Sequence, residues 1–124
     1  MKPGIKLVDE TLGDGNNVQR QHIYLMRIKM WLNQGQAIRW TQPWGMQHSA
    51  RLEDDGETLV SGLRVDRESL FNGLFYGIEG MRVGGTRKLR VSPHLAYGDQ
   101  GVAGLIPANA VLTVEVTILE DMQK

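Results

Sequence analysis

Few side chains in this sequence could do chemistry, and their spacing gives little to build on. His22, His48 and His94 are far apart, with no His-x-x-x-His pair and no carboxylate set beside them, so no metal site is expected. Ser92-Pro93-His94 and His48-Ser49 put a hydroxyl next to an imidazole along the chain. A nucleophilic triad is assembled in space, however, and no elbow motif frames either serine, so a Ser-Pro turn is the simpler reading. Glu53-Asp54-Asp55 could supply an acid and a base, but a charge run beside Gly56 reads first as a solvated turn. Gly98, Gly101 and Gly104 have no preceding strand of the required kind, and Leu105-Ile106-Pro107 blocks an immediate helix, so they are no dinucleotide fingerprint. The chain has no cysteine, which removes disulfides, thiolate nucleophiles and cysteine zinc sites. No cofactor is expected.

The elements that must position any site are mostly strands. From Ile23 to Leu32, residues Tyr24, Met26, Ile28, Met30 and Leu32 share one face, with Arg27 and Lys29 on the other, and Asn33-Gln34-Gly35 closes the run as a turn. Val111–Leu119 alternates in the same way, as does Arg87–Val91, where Lys88 and Arg90 point away from Leu89 and Val91. Ile5–Val8 is a weaker fourth strand. Leu70, Leu74, Ile78 and Met81 break the period of two and form a helical stripe, with Asp66 or Ser69 as its cap and Gly80 at its end. Trp40–Gly56 has less pattern and reads as a long loop or an added hairpin. One short helix among antiparallel strands predicts an α+β domain, with the helix packed on one sheet face.

Composition narrows the function classes. Fourteen basic residues balance fourteen acidic ones among 124, which disfavours a dedicated nucleic-acid binder or a polybasic membrane anchor. Arg87, Lys88 and Arg90 therefore read as a solvent face. No apolar run approaches the roughly 20 residues of a membrane-spanning helix. Met1–Glu10 has a lysine with no apolar run behind it and is not expected to be a secretory signal. The expectation is one cytoplasmic domain over residues 1–124, with an enlarged loop at about 40–58. The Trp40–Trp44 aromatics are either a partner-binding patch or buried loop packing.

The C-terminal half carries a resemblance. Gly77-Ile78-Glu79-Gly80-Met81, Val83-Gly84-Gly85, Lys88-Leu89-Arg90-Val91-Ser92-Pro93, Ala96-Tyr97-Gly98, Gly104-Leu105-Ile106-Pro107 and Leu112–Leu119 resemble, in order and spacing, the FKBP-type peptidyl-prolyl cis-trans isomerases. Gly13-Asp14-Gly15, Arg20 and Leu32-Asn33-Gln34-Gly35 resemble the family's earlier half more faintly. The resemblance implies a twisted antiparallel sheet wrapped around one short helix. It also implies catalysis of rotation about X-Pro bonds in peptides or folding chains, with no covalent intermediate, metal or cofactor. Proline-containing peptides, unfolded chains and a macrolide are the implied ligands, with neither nucleic acid nor membrane among the partners.

By that resemblance Tyr97 donates its hydroxyl, and Ile106 its backbone N–H, to a bound carbonyl. Leu70, Phe71 and Leu105 are implied walls. Leu74 stands where the family usually has the tryptophan of the pocket floor, and Val114 where it has a phenylalanine. Ile28, Ile38 and Arg39 stand where a tyrosine, a phenylalanine and an aspartate are usual. Two functions stay open on this reading: an isomerase, or the same fold as a chaperone-like, partner-binding module with little turnover.

Overall fold

The computed structural model describes residues 1–46 and 48–123. Six strands form one sheet, β1 (Ile5–Thr11), β2 (Ile23–Leu32), β3 (Arg51–Leu52), β4 (Thr58–Arg64), β5 (Thr86–Val91) and β6 (Leu112–Asp121), in the order β1-β5-β6-β2-β4-β3. Every pairing is antiparallel. The alternation seen in the sequence sets the register. Met30 lies opposite Val114, Ile28 opposite Val116 and Leu89 opposite Val114, so the apolar residues of three strands meet on one face and all are buried.

The helix α1 (Asn72–Gly77) covers that face. It is shorter than the apolar stripe. Leu70, Leu74, Ile78 and Met81 are all buried, but only Leu74 lies within α1: Leu70 precedes the N-cap Phe71, Ile78 is the C-cap, and Met81 follows the turn at Gly80. Gly73 and Gly77 let the helix approach β5 closely. A Cβ on Gly77 would sit 2.5 Å from Leu89 Cδ1, and one on Gly73 would strike Val91. The left-handed φ of +87° at Gly80 then turns the chain away.

Two sequence expectations are corrected here. The N-cap of α1 is Phe71, in extended conformation and with no side-chain cap bond. Asp66 instead caps the preceding turn, its Oδ1 accepting the N–H groups of Ser69 (2.7 Å) and Glu68 (3.1 Å). Those bonds, the Ser69 one foremost, hold its carboxyl below the usual range. Arg87, read as part of a solvent strip, is buried. Its Nη1 donates to the carbonyls of Gly77 (2.8 Å) and Glu79 (2.6 Å), and its Nε to Glu10 at 2.7 Å. One guanidinium thus satisfies carbonyls at the helix C-terminus and ties β5 to β1.

The Trp40–Gly56 segment, of which Gln47 lies outside the described residues, combines a loop with the start of a hairpin. At the β3–β4 turn Asp55 accepts the N–H groups of Glu57 (2.8 Å) and Thr58 (2.9 Å), so the acidic run shapes a turn.

Candidate active site

The signature loop is closed on itself. After a 3-10 turn at Pro93–Leu95, the Gly98 N–H donates to Pro93 and that of Gly101 to Tyr97, each at 2.9 Å. Val102 and Ile106 exchange both backbone hydrogen bonds at 2.8 Å, and the Asn109 N–H returns to the Gly98 carbonyl at 2.7 Å. This framework holds Tyr97 against the start of α1. Its ring centroid lies 5.4 Å from that of Phe71, tilted by 42°.

The residues of the apolar cluster against which this pair packs are closely buried. Ile28, Ile38, Leu70, Leu74 and Val114 are each no more than 2% exposed and belong to one apolar cluster with Ile106. Phe71, Tyr97 and Leu105 pack against that cluster from its edge. Burial pushes the Tyr97 phenol up to about 12 from its ordinary 10. At neutral pH it is therefore a protonated hydroxyl, and no hydrogen-bond partner for it is found among the described residues. It is a hydrogen-bond donor at the edge of an apolar floor.

Not every residue implied by the resemblance joins this arrangement. The Arg39 side chain is 70% exposed and reaches Glu57 at 3.6 Å, on the β3–β4 hairpin. The Ile106 N–H already donates to Val102, so the loop's own closure uses that donor. Sequence reasoning missed a different donor. Among the described residues the Phe71 N–H has no partner, because Phe71 is extended at the N-cap, ahead of the first helical bond. The signal available was the apolar pair Leu70-Phe71 just before the helix, read only for its side chains.

A second aromatic pair stands in the long loop. Trp40 and Trp44 lie 5.6 Å apart at 60°, pack against the same apolar cluster, and bury both indole N–H groups without a partner among the described residues. Two concavities, of about 550 and 470 Å3, open elsewhere: across the outer face of β1, β5, β6 and β2, and between Trp44 and Arg64.

The architecture is a curled antiparallel sheet over one short helix, with the Phe71–Tyr97 pair packed at the edge of its apolar cluster. The family model for FKBP-type peptidyl-prolyl cis-trans isomerase matches residues 45–119, and the chain belongs to that family. FK506-binding protein 1A of Neurospora crassa is 41% identical over 66 residues, covering 53% of each chain. FK506-binding protein 4 of Aspergillus fumigatus is 33% identical over 117 residues, 94% of this chain and 21% of that one. The chain spans about half or less of the length of the first curated relatives it matches. Among solved structures, AtFKBP13 superposes with a TM-score of 0.74 at 23% identity, covering 95% of this chain and 93% of that one. FkpA from Escherichia coli does so with a TM-score of 0.66 at 26% identity, covering 96% and 52%. These likenesses establish the same fold: a six-stranded antiparallel sheet with one short helix.

Proposed function

We propose that this domain accelerates cis-trans rotation about X-Pro bonds in peptides or unfolded chains, using the floor beneath Tyr97 and Phe71. The observation that carries this reading is the Tyr97 hydroxyl, unpartnered among the described residues and held against Phe71 by a loop bonded to itself. The reaction asks for little more. Rotation must cross a barrier of roughly 18–20 kcal/mol that comes from amide resonance. The twisted transition state has lost that resonance and is less polarised than the planar amide, so a dry apolar site disfavours the ground state more.

The chain's own residues have two tasks. Ile28, Ile38, Leu70, Leu74, Ile106 and Val114 form the apolar floor, with Leu105 at its margin. The Tyr97 hydroxyl and the Phe71 N–H donate to substrate carbonyls and fix the peptide while the bond turns. Trp40 and Trp44 supply aromatic surface in a site whose helix carries Leu74. The test is a protease-coupled isomerisation assay over peptides that vary the residue before proline. Wild type is expected to accelerate rotation, and Tyr97→Phe to lower kcat/KM about five- to tenfold with the fold intact, as loss of one hydrogen bond dictates.

A second reading, a partner-binding module with little turnover, is favoured by Leu74 on the helix and by the committed Ile106 N–H. Proline-peptide binding without acceleration by folded wild type would establish it over the first. A macrolide such as the FK506 after which the relatives are named is a proposed competitor for the same floor, and displacement of a bound proline peptide is the measurement.

A further inference from the structure

The outer face of the sheet has a second site whose charges are not balanced. Its cross-strand rows can be read from the register. One row runs Asp9, Lys88, Glu115, Lys29, in which acids and bases alternate and balance in number. The next row runs Lys6, Arg90, Thr113, Trp31 and contains no acid. Among the described residues, Lys6, Lys88 and Arg90 have no carboxylate within salt-bridge distance, whereas Lys29 has Glu57 at 3.2 Å. In a chain of zero net charge, this is a local excess.

The second row lies in a groove of about 550 Å3. Trp31 forms one wall, with Lys88 Nζ 5.0 Å and Lys29 Nζ 5.3 Å from its ring centroid. The opposite wall is β1, where Leu7 and Val8 are 39% and 53% exposed. The groove therefore offers cations and apolar surface together, in a volume ordinary for ligand clefts. It faces away from Tyr97 and uses none of the residues of the isomerase floor.

We propose that this groove docks an acidic peptide segment, with carboxylates on Lys6, Lys88 and Arg90 and an apolar side chain between Trp31 and Val8. Charge complementarity decides the occupant's sign, and the apolar walls decide its kind. A single nucleic-acid strand would need successive aromatic platforms, but Trp31 is the groove's one aromatic and lysine ammoniums already stand near its ring. The proposal does not depend on isomerase activity.

Fluorescence anisotropy with a labelled peptide of alternating glutamate and leucine tests it, beside the lysine-for-glutamate peptide and a labelled oligo-thymidine strand. The acidic peptide is expected to bind, to weaken as salt is raised, and to lose about tenfold or more in affinity to Lys6→Glu/Arg90→Glu. Both substitutions are at exposed positions, and Tyr97→Phe should leave this binding unchanged. Amide NMR of the wild type supplies a readout without any variant, with shifts expected at Lys6–Val8, Trp31 and Arg90. No binding of the acidic peptide, equal binding by the charge-reversed protein, shifts confined to Tyr97 and Phe71, or tighter binding of oligo-thymidine would each overturn the proposal.

Discussion

The two faces of the sheet are made by alternate residues of the same strands, yet they are constrained by different physics. On the inner face Met26, Ile28, Met30, Leu89, Val91, Leu112, Val114, Val116 and Ile118 are buried, and Arg87, the one buried cation among the described residues, enters with its Nε and Nη1 bonded. On the outer face the alternate positions hold Arg27, Lys29, Lys88, Arg90 and Glu115, and ion pairs there span 3.2 to 3.9 Å. The inner face gains from burial and is intolerant of change in volume or of an unpaired polar group. The outer face gains little from its pairs, each worth roughly 0–1 kcal/mol, so its composition is free to serve a ligand. Stability is concentrated on one side of the sheet, and freedom to specialise on the other.

The sharpest way to break this contrast is to remove volume under the proposed floor. Leu74→Ala empties a fully buried position between helix and sheet and is expected to destabilise by about 4 kcal/mol in urea unfolding. The Lys6→Glu/Arg90→Glu protein should unfold within about 0.5 kcal/mol of wild type. If the two costs were alike, the division between faces would fail. Next in size is Arg87→Met. It keeps an apolar stem but leaves the Gly77 and Glu79 carbonyls and the Glu10 carboxylate without their donor, an expected cost of about 2–3 kcal/mol. A change as small as that of an exposed pair would mean that Arg87 belongs with the outer face after all.

What could be read from the sequence follows the same division. β2, β5 and β6 were legible because one side is dry and the other wet, which writes a period of two. β4 was not. Leu59, Val60, Ser61, Gly62 and Leu63 are all buried, so nothing alternates, and Ser61 with Gly62 looks like a turn. Arg87 shares the parity of Leu89 and Val91, and that register pointed inward while its charge suggested solvent. For the candidate site, the resemblance named Tyr97, Phe71, Leu70, Leu74 and Ile106, which the fold gathers around one cluster, and Arg39, which it turns toward Glu57. Which backbone N–H groups are free was not legible, because that depends on how a loop closes and where a helix takes its first bond.

The smallest effect tests whether Tyr97 belongs to the inner face in an electrostatic sense. Burial raises its phenol to about 12 in the folded chain, against about 10 in the unfolded one. The neutral phenol is the form the fold favours. Its contribution is therefore complete below pH 10 and declines as pH rises from 10 toward 12, since the unfolded chain gives up this proton first. In a phenolate absorbance titration, one tyrosine should ionise last, near pH 12, and Tyr97→Phe should abolish that step. The stability difference between wild type and variant should be flat from neutral pH to about 10 and drift in the variant's favour above it. A tyrosine step near pH 10 that vanished in Tyr97→Phe would put the hydroxyl in solvent, and the dry rim required for a donor at the proposed site would be lost with it.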